Sequence, residues 1–153
     1  MIHFFKKSKK IRVRVAAIIK NQSGKILLIK QKKKNHSYWL LPGGGVEFGE
    51  ELITSLSREL KEELSLEIQN PKFLFLNESI SPRKDFHIIQ PVFSAEMKDD
   101  NISIPNEEKS VLEFKFFTIE EVLNLEIRPD IKSYFQNLNQ AESLFLKSKW
   151  IED

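Results

Sequence analysis

The segment from Leu41 to Leu66 constrains the fold most, because its pattern changes there from a loop to a helix. Three consecutive glycines, Gly43–Gly45, come first and indicate a turn that needs backbone freedom. From about Glu50 to Leu64, apolar residues then recur at spacings of three and four, at Ile53, Leu56, Leu60 and Leu64. This spacing predicts an amphipathic helix with one face against a core.

Segments with strand patterns lie on both sides of this helix. They cover Arg12–Ile19, Lys25–Gln31, Pro71–Leu76, His87–Met97 and Val111–Phe117. We expect the first two to form a hairpin, because the four residues from Asn21 to Gly24 between them favour a turn.

Two further helices are predicted after the last strand. Thr118 and Glu121 have the spacing of a capping box, which predicts a short helix to about Leu125. A last helix is expected from Asp130 to near Ser148. This order predicts an α/β (α+β) fold in which helices pack on a mixed β-sheet. The length of 153 residues predicts a single domain, with residues 1–11 as a basic N-terminal arm.

Three glutamates share one face of the first helix. At about 100° per residue, Glu59, Glu62 and Glu63 fall within a sector roughly 100° wide, opposite the apolar stripe. Hard cations such as Mg²⁺ or Mn²⁺ choose carboxylate oxygens, so this face is a candidate metal site. Arg58 borders it and can pair with a neighbouring carboxylate. Periodicity alone leaves open a plain solvated face.

Taken together at this spacing, the glycine cluster and the charged residues of the helix resemble the signature of the Nudix (MutT-like) hydrolase family. The resemblance covers residues 44–66, in which Gly44, Glu50 and the run from Arg58 to Leu66 match. The preceding residues 39–44 and the later residues 114–122 also resemble the family. Ser65 departs from it, because the family has a glycine there, which suits a left-handed residue that closes the helix.

The resemblance implies the Nudix α/β/α sandwich and a hydrolase that needs Mg²⁺ or Mn²⁺. The implied reaction cleaves the diphosphate bond of a nucleoside diphosphate linked to another group, X, as in a nucleotide sugar, ADP-ribose or a nucleoside triphosphate. The products would be a nucleoside monophosphate and phosphorylated X. The alternative is a catalytically weak Nudix-fold module that binds a nucleotide or RNA.

The resemblance also implies roles for individual residues. Glu59 and Glu63 would be the main metal ligands, Glu62 would complete the cluster, and the Gly43 carbonyl would be a further ligand. Glu50 and Arg58 would form the ion pair that holds these ligands. The general base stays open among Glu63, Glu107 and Glu108, and a solvated turn is the alternative for the last two.

Aromatic side chains near the signature are candidates for substrate binding. Trp39 and Phe48 could stack on a base, although each also suits a packed core or rim position. Glu107 and Glu108 are the candidates on the later loop. Nothing in these residues chooses among the substrate classes.

Charge is divided unevenly along the chain. Residues 1–46 carry 12 Lys or Arg and no Asp or Glu, whereas the remainder carries 12 basic and 22 acidic residues. The basic part would attract a polyanion, although solvated lysines are the simpler alternative. Cysteine is absent, which excludes disulfides and thiolate sites. No apolar run approaches the roughly 18–20 residues of a membrane helix. We therefore expect a cytoplasmic protein without a membrane partner. The resemblance implies a small nucleotide derivative as its substrate; nucleic acid is disfavoured as a partner without being excluded, and a homodimer is left open.

Overall fold

The computed structural model describes residues 9–137 and 144–152, so most of the predicted basic arm lies outside the described residues. The strands are β1 Ile11–Ile19, β2 Ile26–Lys33, β3 His36–Leu40, β4 Gly43–Gly45, β5 Ile68–Ile80, β6 His87–Met97, β7 Val111–Phe117 and β8 Phe145–Lys147. The helices are α1 Leu52–Leu64, α2 Ile119–Leu123 and α3 Lys132–Gln136. In the ranges described, no helix is long and apolar enough to cross a membrane.

The strands form two sheets. One has five strands in the order β4-β1-β6-β5-β8, and the other has three in the order β3-β2-β7. The larger sheet is mixed, because β1 runs parallel to β6 and β5 runs parallel to β8, while its other neighbours are antiparallel. The smaller sheet is antiparallel throughout. The predicted α+β class with a mixed sheet is confirmed.

The core lies on both faces of β1. Successive side chains of a strand point to opposite faces, so Val15 and Ile19 join one apolar cluster while Ala16 and Ile18 join another. The first cluster receives the apolar stripe of α1, which is fully buried at Leu56, Leu60 and Leu64. Each such side chain contributes about 1.5–3 kcal/mol by leaving water, so this stripe fixes α1 on the sheet.

The predicted hairpin of the first two strands is wrong. A turn does form, and the Asn21 side chain accepts hydrogen bonds from the N–H groups of Ser23 and Lys25 at 3.0 and 2.9 Å. Beyond the single bridge between Lys20 and Ile26, however, β1 and β2 belong to different sheets. Turn residues specify a local reversal, but they do not specify which strands pair along the two edges of β1, and these are β4 and β6.

The predicted last helix is also wrong over much of its length. Helix α3 ends at Gln136, and Phe145–Lys147 is strand β8, which pairs with β5 through Asn77↔Leu146. Residues 138–143 lie outside the described residues. An edge strand leaves backbone groups unpaired, and β8 satisfies those of β5, which outweighs helical spacing in the sequence. The capping box at Thr118 and Glu121 is present as predicted.

Candidate active site

The glycine segment β4 lies directly against β1. Gly43 pairs with Ala16 and Gly44 with Val15. Gly43 has a φ of 142°, and a Cβ there would fall on the backbone of Val15 and Ala16. Only glycine permits this approach, so the pairing of β4 with β1 requires Gly43, and the turn predicted at these glycines is instead a short strand.

Gly44 provides the room for a carboxylate. A Cβ added at this position would fall on the carboxylate of Glu59, which projects from α1 toward β4. The neighbouring Gly45 is different, because a Cβ there would meet nothing within 4 Å. The close approach of the Glu59 carboxylate to the glycine segment therefore depends on Gly44 in particular.

Glu63 is a buried carboxylate at the junction of α1 and β4. It is only 4 % exposed, and its Oε2 accepts a hydrogen bond from the Gly43 N–H at 3.0 Å. Burial raises the pKa of Glu63 to about 7, although the charge of Arg14 and the Gly43 N–H act in the opposite direction. Glu63 thus borders the core, whereas the Glu62 side chain stays 57 % exposed.

Arg58 connects the acidic residues of the signature. It forms a bidentate pair with Glu50, with Nε and Nη2 donating to the two carboxylate oxygens at 2.8 and 3.0 Å. Its Nη1 donates to Glu59 at 2.9 Å and to Glu62 at 3.3 Å. Its Nη2 also reaches the Gly45 carbonyl at 3.1 Å. One guanidinium therefore sets the positions of three carboxylates.

The Arg58–Glu50 pair predicts an acid-dependent loss of stability. Hydrogen bonds from Arg58 lower the pKa of Glu50 to about 2 from its ordinary 4.5, so the folded state binds this proton less tightly than the unfolded state. The stabilising contribution is complete above pH 4.5 and is lost as the pH falls toward 2. We expect the unfolding free energy of the wild type to fall more steeply over this interval than that of E50Q. The control E51Q removes an exposed neighbouring carboxylate and should follow the wild type, and equal slopes for all three proteins would contradict the prediction.

Sequence reasoning missed Arg14. Its Nη2 donates to the carbonyls of Leu41 and Gly43, both at 2.9 Å, and its Nη1 donates to Gln90 Oε1 at 3.0 Å. Desolvation lowers the pKa of Arg14, while the negative charges of Glu63 and Glu59 oppose this effect. The sequence does place this arginine directly before the wholly apolar residues 15–19, which could have suggested that it is buried. The alternation of polar and apolar residues before that run, however, predicts a solvated side chain.

Ser65 occupies the left-handed conformation that the family gives to glycine. Its φ and ψ are 53° and 26°, and it closes α1. The N–H groups of Ser65 and Leu66 donate to the carbonyls of Lys61 and Leu60 at 3.0 and 3.2 Å. Serine therefore closes the helix in this conformation, at a cost on the order of 1 kcal/mol relative to glycine.

The loop glutamates lie near the carboxylate cluster. Glu107 and Glu108 line a surface depression together with Lys61 and Glu62. Glu108 is close enough to Glu63 for its charge to raise the pKa of that residue. Partial burial acts to raise the pKa of Glu108 itself, but hydrogen bonds from Ser110 and backbone N–H groups lower it.

The structure does not bring the two aromatic candidates together with the carboxylates. Trp39 packs edge-on against Phe117, with ring centroids 4.7 Å apart, and joins the apolar cluster on the other face of β1. Phe48 is fully exposed in the loop between β4 and α1. The geometry thus gives Trp39 a packing role and leaves Phe48 without a described contact to the cluster.

A basic groove adjoins the cluster through Arg14. It encloses about 280 Å³ and has Arg14 and Gln90 in its wall. Further cationic residues along it are Arg12, Lys33, Arg128 and Lys149, and its aromatic residues are Tyr38, Phe86 and Trp150. Arg14 therefore links the groove to the glycine segment, because it lines the groove and donates to the Gly43 carbonyl. We refer to this cavity below as the groove.

The residues present fit a hard divalent cation in their chemistry. In the part of the chain that the structure describes, no three His, Asp or Glu side chains are already arranged as ligands. Arg58 donates to Glu59 and Glu62, and the Gly43 N–H donates to Glu63. Nevertheless Glu59 and Glu63 both contact the glycine segment, and their oxygens are the donors that Mg²⁺ and Mn²⁺ prefer. The space that only Gly44 leaves for Glu59 supports this assignment.

The fold and this cluster together define a Nudix protein. The chain matches the NUDIX domain over residues 10–138, and it belongs to the Nudix family of MutT-like hydrolases. The expected family and enzyme class are confirmed. The family as a whole uses divalent metal ions, which agrees with the donor set described above.

Solved structures of this family share the fold. A MutT NUDIX hydrolase from Burkholderia pseudomallei is 27% identical, with a TM-score of 0.65 over 72% of this chain and 85% of that one. A NUDIX hydrolase from Nitrosomonas europaea has a TM-score of 0.69 over 83% of this chain and 86% of that one. It is 20% identical, so this second likeness concerns the fold alone.

Sequence relatives match a shorter segment. An RNA pyrophosphohydrolase from Ruthia magnifica subsp. Calyptogena magnifica is 38% identical over 63 residues, which are 41% of this chain and 34% of that protein. The m7GpppN-mRNA hydrolase NUDT17 from Xenopus laevis is 35% identical over 69 residues, 43% of this chain and 23% of that protein. The matches thus span about a third or less of these relatives.

Proposed function

We propose that the protein hydrolyses the diphosphate bond of a nucleoside diphosphate linked to a group X, with Mg²⁺ or Mn²⁺ as cofactor. The products are a nucleoside monophosphate and phosphorylated X. The observation that carries this proposal is the set of carboxylates that Arg58 holds against the glycine segment, next to the groove.

Residues of the signature have separate roles in the proposed reaction. Glu59 and Glu63 hold the cation, with Glu62 and the Gly43 carbonyl as further ligands. The bound cation supplies charge neutralisation of the diphosphate oxygens and a more acidic attacking water. Arg58 orients the carboxylates of Glu59 and Glu62. Such positioning matters because misplacement by about 1 Å costs roughly a hundredfold in rate.

The proton of the attacking water goes to one of the glutamates near the cluster. Glu63 and Glu108 lie close to one another, and Glu107 lies beside Glu108 at the same surface depression. General base catalysis contributes about 10²–10⁴-fold, so the base can be identified by comparing kcat in E107Q and E108Q. The variant that loses this factor while retaining metal affinity marks the base, and full kcat in both variants leaves Glu63 as the base.

A substrate panel tests the proposed reaction. The purified protein is incubated with nucleoside triphosphates, ADP-ribose, nucleotide sugars and dinucleoside polyphosphates, with Mg²⁺, with Mn²⁺ or with chelator, and phosphatase reveals phosphomonoester products. We expect metal-dependent turnover concentrated on one class, which identifies X. Turnover that persists in chelator would contradict the proposal.

The 5′ end of an RNA is a second candidate substrate. Its support is the likeness to two relatives, an RNA pyrophosphohydrolase and an m7GpppN-mRNA hydrolase, together with the cationic residues of the groove. A 5′-triphosphorylated RNA oligonucleotide, added to the panel beside the free triphosphate of its first nucleotide, distinguishes the two. Salt-dependent RNA binding without any turnover would instead favour a binding module.

Two glycine variants test the geometry of the proposed ligands. In G44A the new Cβ falls on the Glu59 carboxylate, so the carboxylate must move, and we expect kcat/KM to fall by about 10²-fold or more. The matched control G45A meets open space and should retain activity near the wild-type value. Both variants are compared at several metal concentrations and by thermal unfolding. Equal activities in folded G44A and G45A would show that the reaction does not require the Glu59 carboxylate to lie against Gly44.

A further inference from the structure

Three exposed cations line the groove beyond Arg14. Arg12 lies on β1, Lys33 is the last residue of β2, and Lys149 follows β8, so three separate segments of the chain contribute them. All three residues are exposed to solvent, so a ligand that enters the groove can reach them. We call Arg12, Lys33 and Lys149 the outer cations.

An aromatic pair holds the outer cations near one another. The guanidinium carbon of Arg12 lies 5.8 Å from the centroid of the Phe86 ring, and Lys33 Nζ lies 5.5 Å from it. A cation within about 6 Å of a ring centroid is attracted to the ring face. Trp150 stacks on the same ring, with centroids 5.8 Å apart and planes inclined by 14°, and it is the chain neighbour of Lys149. Phe86 therefore gathers positive charges from three segments at one place.

None of the described residues that line the groove is acidic. Arg128 also lines it, but the carboxylate of Glu126 lies 2.9 Å from this guanidinium and balances its charge. Like charges that are held close together repel each other, and a cleft lined by one sign of charge attracts ligands of the other sign. Arginine and lysine are the side chains that bind phosphate most often. The outer cations therefore favour a phosphate group as their ligand.

The outer cations are separate from the proposed diphosphate site. Arg14 marks the end of the groove next to the glycine segment, because its Nη2 donates to the Gly43 carbonyl at 2.9 Å. Arg12 is two positions earlier on the same strand and on the same face, which places the two backbones about 7 Å apart. Two phosphates on opposite sides of one ribose have a comparable separation. A nucleotide with its 5′ phosphate at the carboxylates can therefore place a second phosphate at the outer cations.

We propose that the outer cations bind a second phosphate of the substrate, carried by the 2′ or 3′ oxygen of the ribose. This inference rests on the proposed function, and it narrows the substrate to nucleotide derivatives phosphorylated on both sides of the ribose. The volume of about 280 Å³, near the small end of ligand pockets at about 300–1,000 Å³, suits one nucleoside between the two phosphates. The second phosphate is either a terminal monoester or the phosphodiester that joins the first nucleotide of an RNA to the next.

The experiment separates the position of a phosphate from the number of phosphates. Isothermal titration calorimetry in chelator measures binding of four ligands for each of the four bases: the 5′-monophosphate, the 5′-diphosphate, the 2′,5′-bisphosphate and the 3′,5′-bisphosphate. The proteins are the wild type, R12Q/K149Q and the control K72Q/K115Q. The control also removes two exposed cations, but they lie outside the groove, and Lys115 likewise lies over an aromatic ring, 5.1 Å from the Phe117 centroid. Thermal unfolding shows that both variants are folded.

For at least one base, we expect the wild type and K72Q/K115Q to bind a bisphosphate about tenfold or more tightly than the 5′-monophosphate. R12Q/K149Q should lose about tenfold for that bisphosphate, the equivalent of about 1.4 kcal/mol, and less than about twofold for the 5′-diphosphate. Bisphosphates that bind the wild type no more tightly than the 5′-monophosphate would overturn the inference. Equal losses for the bisphosphate and the 5′-diphosphate, or an unchanged bisphosphate affinity in R12Q/K149Q, would do the same.

A 5′-phosphorylated dinucleotide of the same base identifies the source of the second phosphate. A gain over the 5′-monophosphate that R12Q/K149Q loses assigns the outer cations to an RNA phosphodiester, and a gain confined to the bisphosphates assigns them to a terminal monoester. Turnover is measured separately with metal. Intact turnover without any gain from a second phosphate rejects this inference and leaves the proposed function standing, whereas a gain in binding without turnover of any substrate rejects the proposed function instead.

Discussion

Replacing Glu63 by glutamine should reduce kcat by about 10³-fold or more while the protein stays folded. The glutamine amide has the same shape, and its oxygen can still accept the hydrogen bond from the Gly43 N–H, which Glu63 accepts at 3.0 Å. The amide lacks the negative charge that would hold a divalent cation. The loss should therefore appear in turnover and in metal affinity, measured by titration with Mn²⁺.

Stability should move in the opposite direction to activity in E63Q. The carboxylate is 4 % exposed, and burial disfavours its charged form, which is why its pKa is raised to about 7. A neutral amide avoids this cost, so the unfolding free energy of E63Q in chelator at pH 8 should equal or exceed that of the wild type. E67Q, at an exposed glutamate just after α1, is the control and should keep full activity. Wild-type turnover by folded E63Q with metal present would reject the proposed site.

Replacing Arg14 by methionine should destabilise the protein by about 3 kcal/mol, because it removes a cation that three acceptors and a buried carboxylate share. For a chain of this size the expected fall in Tm is roughly 6–12 °C. The carbonyls of Leu41 and Gly43 would lose their donor, and the charge of Glu63 would lose its neighbour. Activity should fall as well, since the glycine segment would no longer be tied to β1 through this side chain.

The neighbouring arginine on the same strand provides the comparison. Arg12 is exposed and lies 5.8 Å from the Phe86 ring centroid, so R12M should change the unfolding free energy by no more than about 0.5 kcal/mol. Chemical denaturation of both variants and the wild type at pH 7 measures the difference. A change in R14M as small as that in R12M would show that Arg14 is not a structural link between β1 and the glycine segment.

Much of the fold was predictable from local patterns. The period of three and four in α1, the capping box of α2 and the strands β6 and β7 were predicted at or near their observed bounds, because these patterns depend on neighbours within one element. The partners of each strand were less predictable. The turn at residues 21–24 indicated a hairpin, and apolar spacing after Asp130 indicated a helix, but both readings ignored the sheet that competes for these segments.

The same division holds for the site. The sequence by itself determined the residue types and their spacing on α1, since Arg58, Glu59, Glu62 and Glu63 lie within two turns of a single helix. The structure separated their environments, with Glu63 buried and Glu62 exposed, because that depends on which strands cover each side of α1.

Only the tertiary structure decided that Arg14 contacts Gln90, because the two residues are 76 positions apart in the chain. Their contact arises from the parallel pairing of β1 with β6, and no local pattern encodes such a pairing. Within a helix, spacing in the sequence determines which side chains share a face. Between strands, the order of the strands in the sheet determines which side chains meet. The sequence therefore determined the signature residues on α1, and the packing of the sheets determined the groove beside them.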